Sequence, residues 1–431
     1  MAGGHTVLGQ PNTKWRGAHF GSRKIASSTN SGVTVASKTY ITAVPTGFVA
    51  LIDKIAIVFS ARLTAATNET LTITLNSQSM RFLARRDAAT HRMKDYSIYP
   101  NGSLVVTEGN TLTMSCTTDF TWFTQVEYRL VPTVWAIQFG YLPGVPFVAS
   151  AVVAAGATDL ITSATVTPKR GLDVRGVAIT GTQQNAAAGA AQEIMVGFWE
   201  PGVAVERKIL KNCYGTASQV GTHDLIISNG RFRGPLGAIS GTDASFGIRC
   251  TAGQATNAVV TVWGFFYPYF EGQKTWPGTG VPPAADTTAY TGGDYWWMFT
   301  EQVASGAVNV FPATSIAGRN LSLTIDGWCG SIAAQNGTGV TMTFGVVSPA
   351  LTVGCPIVYN AIGGAAGDAG AVTKVFENMN MPWRSDIGPL ALALAVLGGA
   401  NPDKASFTAW GRFGGPSMSD GFRSSTYLTV S

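Results

Sequence analysis

The sequence predicts an all-β protein: three tandem antiparallel β-sandwiches carrying an extended N-terminal arm. The first ground is texture. Short runs rich in Val, Thr and aromatics alternate with Gly- and Asn-containing turns, and no long stretch has helical apolar spacing. The second is recurrence. A β-prone aromatic run stopped by proline or glycine is found at Val259–Pro268, at Phe407–Gly415 and at Phe123–Pro132. The third is length, because 431 residues are about three domains at ~150 residues each.

Residues 1–32 read as the arm. They are rich in Gly, Ser and basic residues around Trp15 and Phe20, two aromatics that a free tail does not need. From Met1 to Ile52 the chain carries Lys14, Arg16, Arg23, Lys24 and Lys38 and no acid. The net charge of +5 is therefore the charge of this stretch, and the remainder balances. A nucleic-acid-binding domain clusters its surplus on a folded face, so this distribution argues against one. It favours docking of the arm on a neighbouring subunit.

The first sandwich is expected over 33–132. It opens at Thr39–Pro45, continues through an apolar strand from Phe48 to Phe59, and gives strict alternation at Thr70–Leu75. An Asn101-Gly102 turn, two further strands and the closing strand follow. The second, 159–268, opens at Thr165–Pro168 and repeats the order, with Asn229-Gly230 at the corresponding turn. The third, 306–414, opens at Val310-Phe311-Pro312, with Asn378–Pro382 in the turn's place, and a tail spans 415–431. Many short strands in each unit of ~100 residues fit a β-sandwich, with a jelly roll preferred and an immunoglobulin-like topology as the alternative. The segments 133–158 and 269–305 read as linkers. Both are too rich in aromatics and prolines for flexible tethers, so they are expected to pack. In the recurrent closing strand, Trp263 and Phe265 lie on one side and Val262, Gly264 and Phe266 on the other. The recurrence is read as a signature of the sandwich core.

Charged residues make up only 12% and hydrophobic ones 45%, which excludes a disordered chain. The cysteines Cys116, Cys213, Cys250, Cys329 and Cys355 are odd in number and lack metal-site spacing, so free buried thiols are expected. Met1–Thr6 lacks a secretion signature, and no apolar run reaches the ~18 residues of a membrane span. The expected product is made in the cytoplasm and inserted in no membrane.

Titratable groups that could converge on chemistry are sparse. His223-Asp224 lacks an activated nucleophile context, no metal motif is present, and nothing pairs the carboxylates. No catalytic residue, cofactor or metal is expected. The cluster Arg81, Arg85, Arg86, Arg92 and Lys94 is interleaved with Asp87 and Asp95 and reads as a solvated face or an intersubunit patch. Tyr295, Trp296 and Trp297 are three consecutive aromatics that one strand cannot all turn inward. They are candidates for intersubunit packing or for stacking on a sugar.

In overall build the chain resembles virion structural proteins of tailed bacteriophages, which often string jelly-roll or immunoglobulin-like modules into decoration, head-fibre or tail components. That resemblance implies a non-enzymatic virion protein, a homo-oligomer with a trimer favoured, bound to partners such as a major capsid protein. Under it Trp15, Arg16, Phe20, Arg23 and Lys24 are the expected assembly contacts. The alternatives are a carbohydrate- or receptor-binding module of a tail or fibre, and a jelly-roll shell protein.

Overall fold

The computed structural model describes residues 23–30, 37–62, 68–85, 96–116, 120–153, 158–166, 170–183, 192–199, 207–213, 221–228, 230, 232–235, 244–252, 256–268, 274–275, 295–303, 308–310, 322–334, 339–348, 353–362, 370–376, 381–384, 391–397 and 402–414. Trp15, Arg16 and Phe20 lie outside them.

Among the described residues the chain is all-β apart from one short helix. The first sandwich comprises β1 (Arg23–Asn30), β2 (Lys38–Ile41), β3 (Phe48–Arg62), β4 (Asn68–Leu75), β5 (Gln78–Arg85), β6 (Tyr96–Ile98), β7 (Leu104–Val106), β8 (Leu112–Cys116) and β9 (Phe120–Pro132). One sheet runs β1-β9-β3-β6, with β7 also on β3, and the other runs β2-β8-β4-β5. Both β6 and β7 pair with β3, so they are two halves of one strand, split by the Asn101-Gly102 turn. Each sheet thus alternates early and late strands of an eight-strand unit, which is the jelly-roll order. The turn has φ of 50° and 84° at its two central residues, the left-handed values that Asn-Gly accepts.

Helix α1 (Thr133–Gln138) follows and leads to the second sandwich. Its strands are β10 (Val145–Val153), β11 (Thr158–Val166), β12 (Arg170–Gln183), β13 (Gln192–Trp199), β14 (Arg207–Cys213), β15 (Gly221–Ile227), β16 (Phe232–Pro235), β17 (Ala244–Ala252) and β18 (Thr256–Pro268). The sheets, β10-β18-β12-β15 with β16 on β12 and β11-β17-β13-β14, repeat the first unit strand for strand. After β19 (Lys274–Thr275), the third sandwich comprises β20 (Tyr295–Val303), β21 (Val308–Val310), β22 (Ser322–Ala334), β23 (Gly339–Ser348), β24 (Val353–Ile362), β25 (Gly370–Phe376), β26 (Met381–Arg384), β27 (Ala391–Leu397) and β28 (Pro402–Gly414). It gives the same order again, β20-β28-β22-β25 with β26 on β22 and β21-β27-β23-β24.

The closing strands end at Pro132, Pro268 and Gly414, but every unit begins earlier than the sequence expectation placed it. Arg23–Asn30, assigned to the arm, pairs along its whole length with β9. Val145–Val153 and Tyr295–Val303, assigned to linkers, pair with β18 and β28. The physical reason is that Arg23–Asn30 and Val145–Val153 are edge strands and Tyr295–Val303 has only the two-residue β19 beyond it. Edges tolerate proline (Pro146), small polar residues (Ser27, Ser28) and charge, which blur the alternation that marks a half-buried strand.

The core of the first sandwich lies between its sheets, with Ile52, Ile55, Ile57, Leu71, Ile73 and Phe82 fully buried and Phe82 against Tyr96 at 5.8 Å between ring centroids. In the third sandwich Trp328 stacks on Phe407 at 5.2 Å. Each third strand carries a register shift at the same equivalent position, between Ile52 and Lys54, Val174 and Gly176, and Ile325 and Gly327. The extra residue is charged and buried in all three: Asp53, Arg175 and Asp326. Asp53 accepts two hydrogen bonds from Arg129, from Nε and Nη2, both at 2.7 Å. Burial alone would lower the Arg129 guanidinium, but the bonds and charge of Asp53 outweigh it and hold the group above its ordinary value. In the second sandwich the residue matching Arg129 is Phe265, and the charge comes from the other strand: Arg175 lies 5.7 Å from the Phe265 ring centroid.

Asp53→Ala leaves a buried guanidinium without its counterion, and is expected to cost about 3–5 kcal/mol of stability. The urea midpoint of the first sandwich reads this, and an unchanged midpoint would refute the role given to the pair.

Candidate functional site

A jelly roll leaves strand edges with unpaired backbone groups, and a free edge invites unwanted pairing. On β5 the exposed edge is closed by the next sandwich. The Thr261 hydroxyl accepts a bond from the Arg81 N–H at 2.9 Å and donates one to the Arg81 carbonyl at 2.8 Å, doing the work of a neighbouring strand. The Ser150 hydroxyl donates to the Ser79 carbonyl at 2.8 Å. In return the Gln78 side chain accepts from the Val148 N–H on the edge strand β10 at 2.7 Å. Each sandwich therefore covers an edge of the other.

Between these polar contacts lies an apolar seat on the outer face of the sheet β10-β18-β12-β15. Its centre is Trp263, fully buried, with Val148 and Ala178 beside it in one cluster with the first sandwich's core residues. The Trp263 Nε1–H points at Ser103 Oγ at 3.5 Å, and the Ser103 hydroxyl donates to the Ser228 carbonyl at 3.3 Å. Across the strand from Trp263 is Gly176, and a Cβ there would land inside the indole ring. Glycine is required because the ring lies flat on the backbone. Phe265, on the same face, packs with Leu51, Val131, Ala136 and Tyr141. This closes the connector between the two sandwiches, and Arg129 lies over the Tyr141 ring at 5.6 Å. The Tyr96 hydroxyl is pushed far above its ordinary value, first by burial and then by Asp224 of the second sandwich.

The seat recurs. Strand β5 packs against β10, β12 and β18, and β14, its counterpart in the second sandwich, packs against β20, β22 and β28. In the third sandwich Trp410 holds the position of Trp263, Gly327 that of Gly176, and Thr408 that of Thr261. Trp410 and Thr408 are both buried. The Trp-Gly dipeptide that recurs in the closing strands is thus a docking signature. Trp263 and Phe265 do share a face, as alternation required, but it is the outer face turned to the preceding sandwich and not the core.

Of the sequence-derived candidates, Arg23 and Lys24 are exposed on β1, and Arg23 pairs with Glu127 at 3.2 Å within the same sheet. Tyr295, Trp296 and Trp297 open β20, opposite Phe413, Arg412 and Gly411. Arg81 and Arg85 belong to β5, whose edge is the docking element, while Arg86, Arg92 and Lys94 of the same cluster lie outside the described residues. Cys116 and Cys329 are buried. Among the described residues there is no metal-binding group of His, Cys, Asp and Glu, and no helix is long and apolar enough to cross a membrane. The seats themselves escaped sequence reading, although the shared Thr-x-Trp-Gly of two closing strands, against Gln125-Val126-Glu127-Tyr128 in the first, was a signal for them.

No family profile matches the sequence, and no curated protein does. Among solved structures, the N-terminal tandem CBM22 domains of Paenibacillus barcinonensis Xyn10C are 14% identical, covering 57% of this chain and 91% of their own, with a TM-score of 0.17. The PBSX exported protein XepA is 12% identical, covering 63% and 88%, with a TM-score of 0.14. The VP2 subviral particle of infectious bursal disease virus is 10% identical, covering 92% and 73%, with a TM-score of 0.15. TM-scores this low do not establish a common fold, and function has to be argued from the chain's own geometry.

Trp263→Ala is expected to remove about 3–5 kcal/mol and to uncouple the first two sandwiches, seen as a calorimetric transition that splits in two. Gly176→Ala is expected to cost about 1–3 kcal/mol through overpacking alone. A single unshifted transition in both variants would show that the seat does not couple the units.

Proposed function

We propose that this chain is a non-enzymatic virion structural protein, a capsid decoration, cement or head–tail accessory component that works as a rigid rod. The observation that carries the reading is the repeated seat. Two successive sandwiches are locked to their predecessors by the same element on the same face, so the chain resists bending at its joints. An enzyme or a flexible multidomain binder gains little from two identical stiff joints, whereas a particle component that must hold a fixed spacing depends on them. The resemblance in build to phage virion proteins supports the same conclusion.

In this reading residues 1–22 form the docking arm, with Trp15, Arg16 and Phe20 as its contacts and Arg23 and Lys24 at its root on β1. Ordering the arm on a neighbour costs chain entropy, which burial of the two aromatics offsets. The partners are further copies of the chain, with a trimer favoured, and a major capsid protein.

Removing residues 1–22 should leave circular dichroism and melting unchanged while abolishing the oligomer, read by mass photometry and electron microscopy. Removing 1–32 also strips β1 and should lower the melting temperature. A full-length chain that is monomeric at micromolar concentration, or a 1–22 deletion that keeps its oligomeric state, would overturn this reading.

A further inference from the structure

An interface between unlike surfaces does not close on itself. Repeated along a chain it leaves one half unused at each end, and two free halves that fit make an open filament. The halves left here are the outer face of the sheet β1-β9-β3-β6 and the strand β24. The strand β24 pairs with β23 and stands where β5 and β14 stand in their own units.

The outer face of the first sheet is a third seat with an altered centre. In strand register Ile25 stands where Val148 does, Ser27 where Ser150 does, and Ala56 where Ala178 does. Ile25 is 61% exposed, which is how an apolar rim looks without an occupant. The centre is different. Glu127 replaces Trp263 and Lys54 replaces Gly176. The two are linked at 3.7 Å, and Arg23 reaches the same carboxylate at 3.2 Å.

We infer that the Lys54–Glu127 pair is a stop that keeps the chain from adding head to tail onto itself. Glu127 is already largely buried and Lys54 still partly exposed, so seating β24 of a second copy on this face would strip the remaining water from both charges. That strand, Val353–Ile362, contains no charged residue to meet them, so the desolvation penalty goes uncompensated. The Lys54 side chain also fills the space in which an indole lies flat on glycine in the occupied seat. A further copy of the chain therefore does not continue the series of seats at this face. The inference rests on the packing of the sandwiches alone, so failure of the virion reading leaves it standing.

The test rebuilds the seat in the full-length chain with Lys54→Gly and Glu127→Trp together. Sedimentation velocity over a wide concentration range should show the wild type as species of fixed mass. The double variant should grow in multiples of 45.1 kDa without reaching a plateau. The inference is overturned if the double variant, folded by circular dichroism and cooperative melting, sediments like the wild type, or if the wild type itself grows without limit. Should the double variant not fold, the reverse exchange decides. Gly176→Lys with Trp263→Glu places the stop in an occupied seat and should open the 133–144 connector to limited proteolysis at least tenfold faster. Unchanged cleavage of that folded variant would overturn the inference.

Discussion

The architecture depends on one small arrangement, a threonine hydroxyl that both accepts from and donates to the backbone of a foreign strand edge. A hydroxyl is the smallest group that can answer an N–H and a C=O together. Thr261 does so for Arg81, and this lets a sandwich end its second sheet at β5 without leaving an open ladder. Trp263 lies two residues further along the same strand and supplies the apolar burial that two hydrogen bonds do not. Polar contacts set the register, the indole supplies most of the free energy, and Gly176 makes room for it. Without the indole the first two sandwiches become beads on a string.

The repeats are alike where the fold demands it and differ where neighbours differ. The charged residue in each register shift is a constant of position, but its partner is not: Arg129 for Asp53, and the Phe265 ring for Arg175. The same holds for the outer faces. Two are built around Trp and Gly and seat the preceding sandwich, and the first is built around Glu127 and Lys54. Exposed apolar side chains remain beside that charged centre, Val58 and Phe123 among them.

Much of the fold was legible in the sequence, because strong alternation and turn chemistry are local. The Asn101-Gly102 turn, the strands at Phe48 and Thr70, and the ends of all three closing strands were marked by residues that admit few other conformations. The first strand of each unit was not legible, since an edge strand such as Arg23–Asn30 carries little of the apolar period. The docking strands were hidden for a related reason. Gln78–Arg85 carries Arg81 and Arg85 of the basic cluster and reads as surface, although its backbone edge is covered. Nor could one sequence say which face of the closing strand is outward. Alternation gave the two faces correctly, but both are buried around Trp263, and only the neighbouring domain tells them apart. The seat was therefore visible as a repeated Trp-Gly and invisible as an interface.

The mismatch between the first two register shifts also bears on how such a chain folds. Adjacent units of one topology are prone to exchange strands while they assemble. If β18 were threaded into the first sandwich in place of β9, Asp53 would face the Phe265 ring and lose its guanidinium. Threading β9 into the second would bring Arg129 against Arg175. Either exchange strands like or unpaired charge in a dry interior, at about 3–5 kcal/mol each. A pair of ions that adds little to the finished molecule can thus sort the strands of neighbouring repeats as they form, and keep each closing strand in its own sandwich.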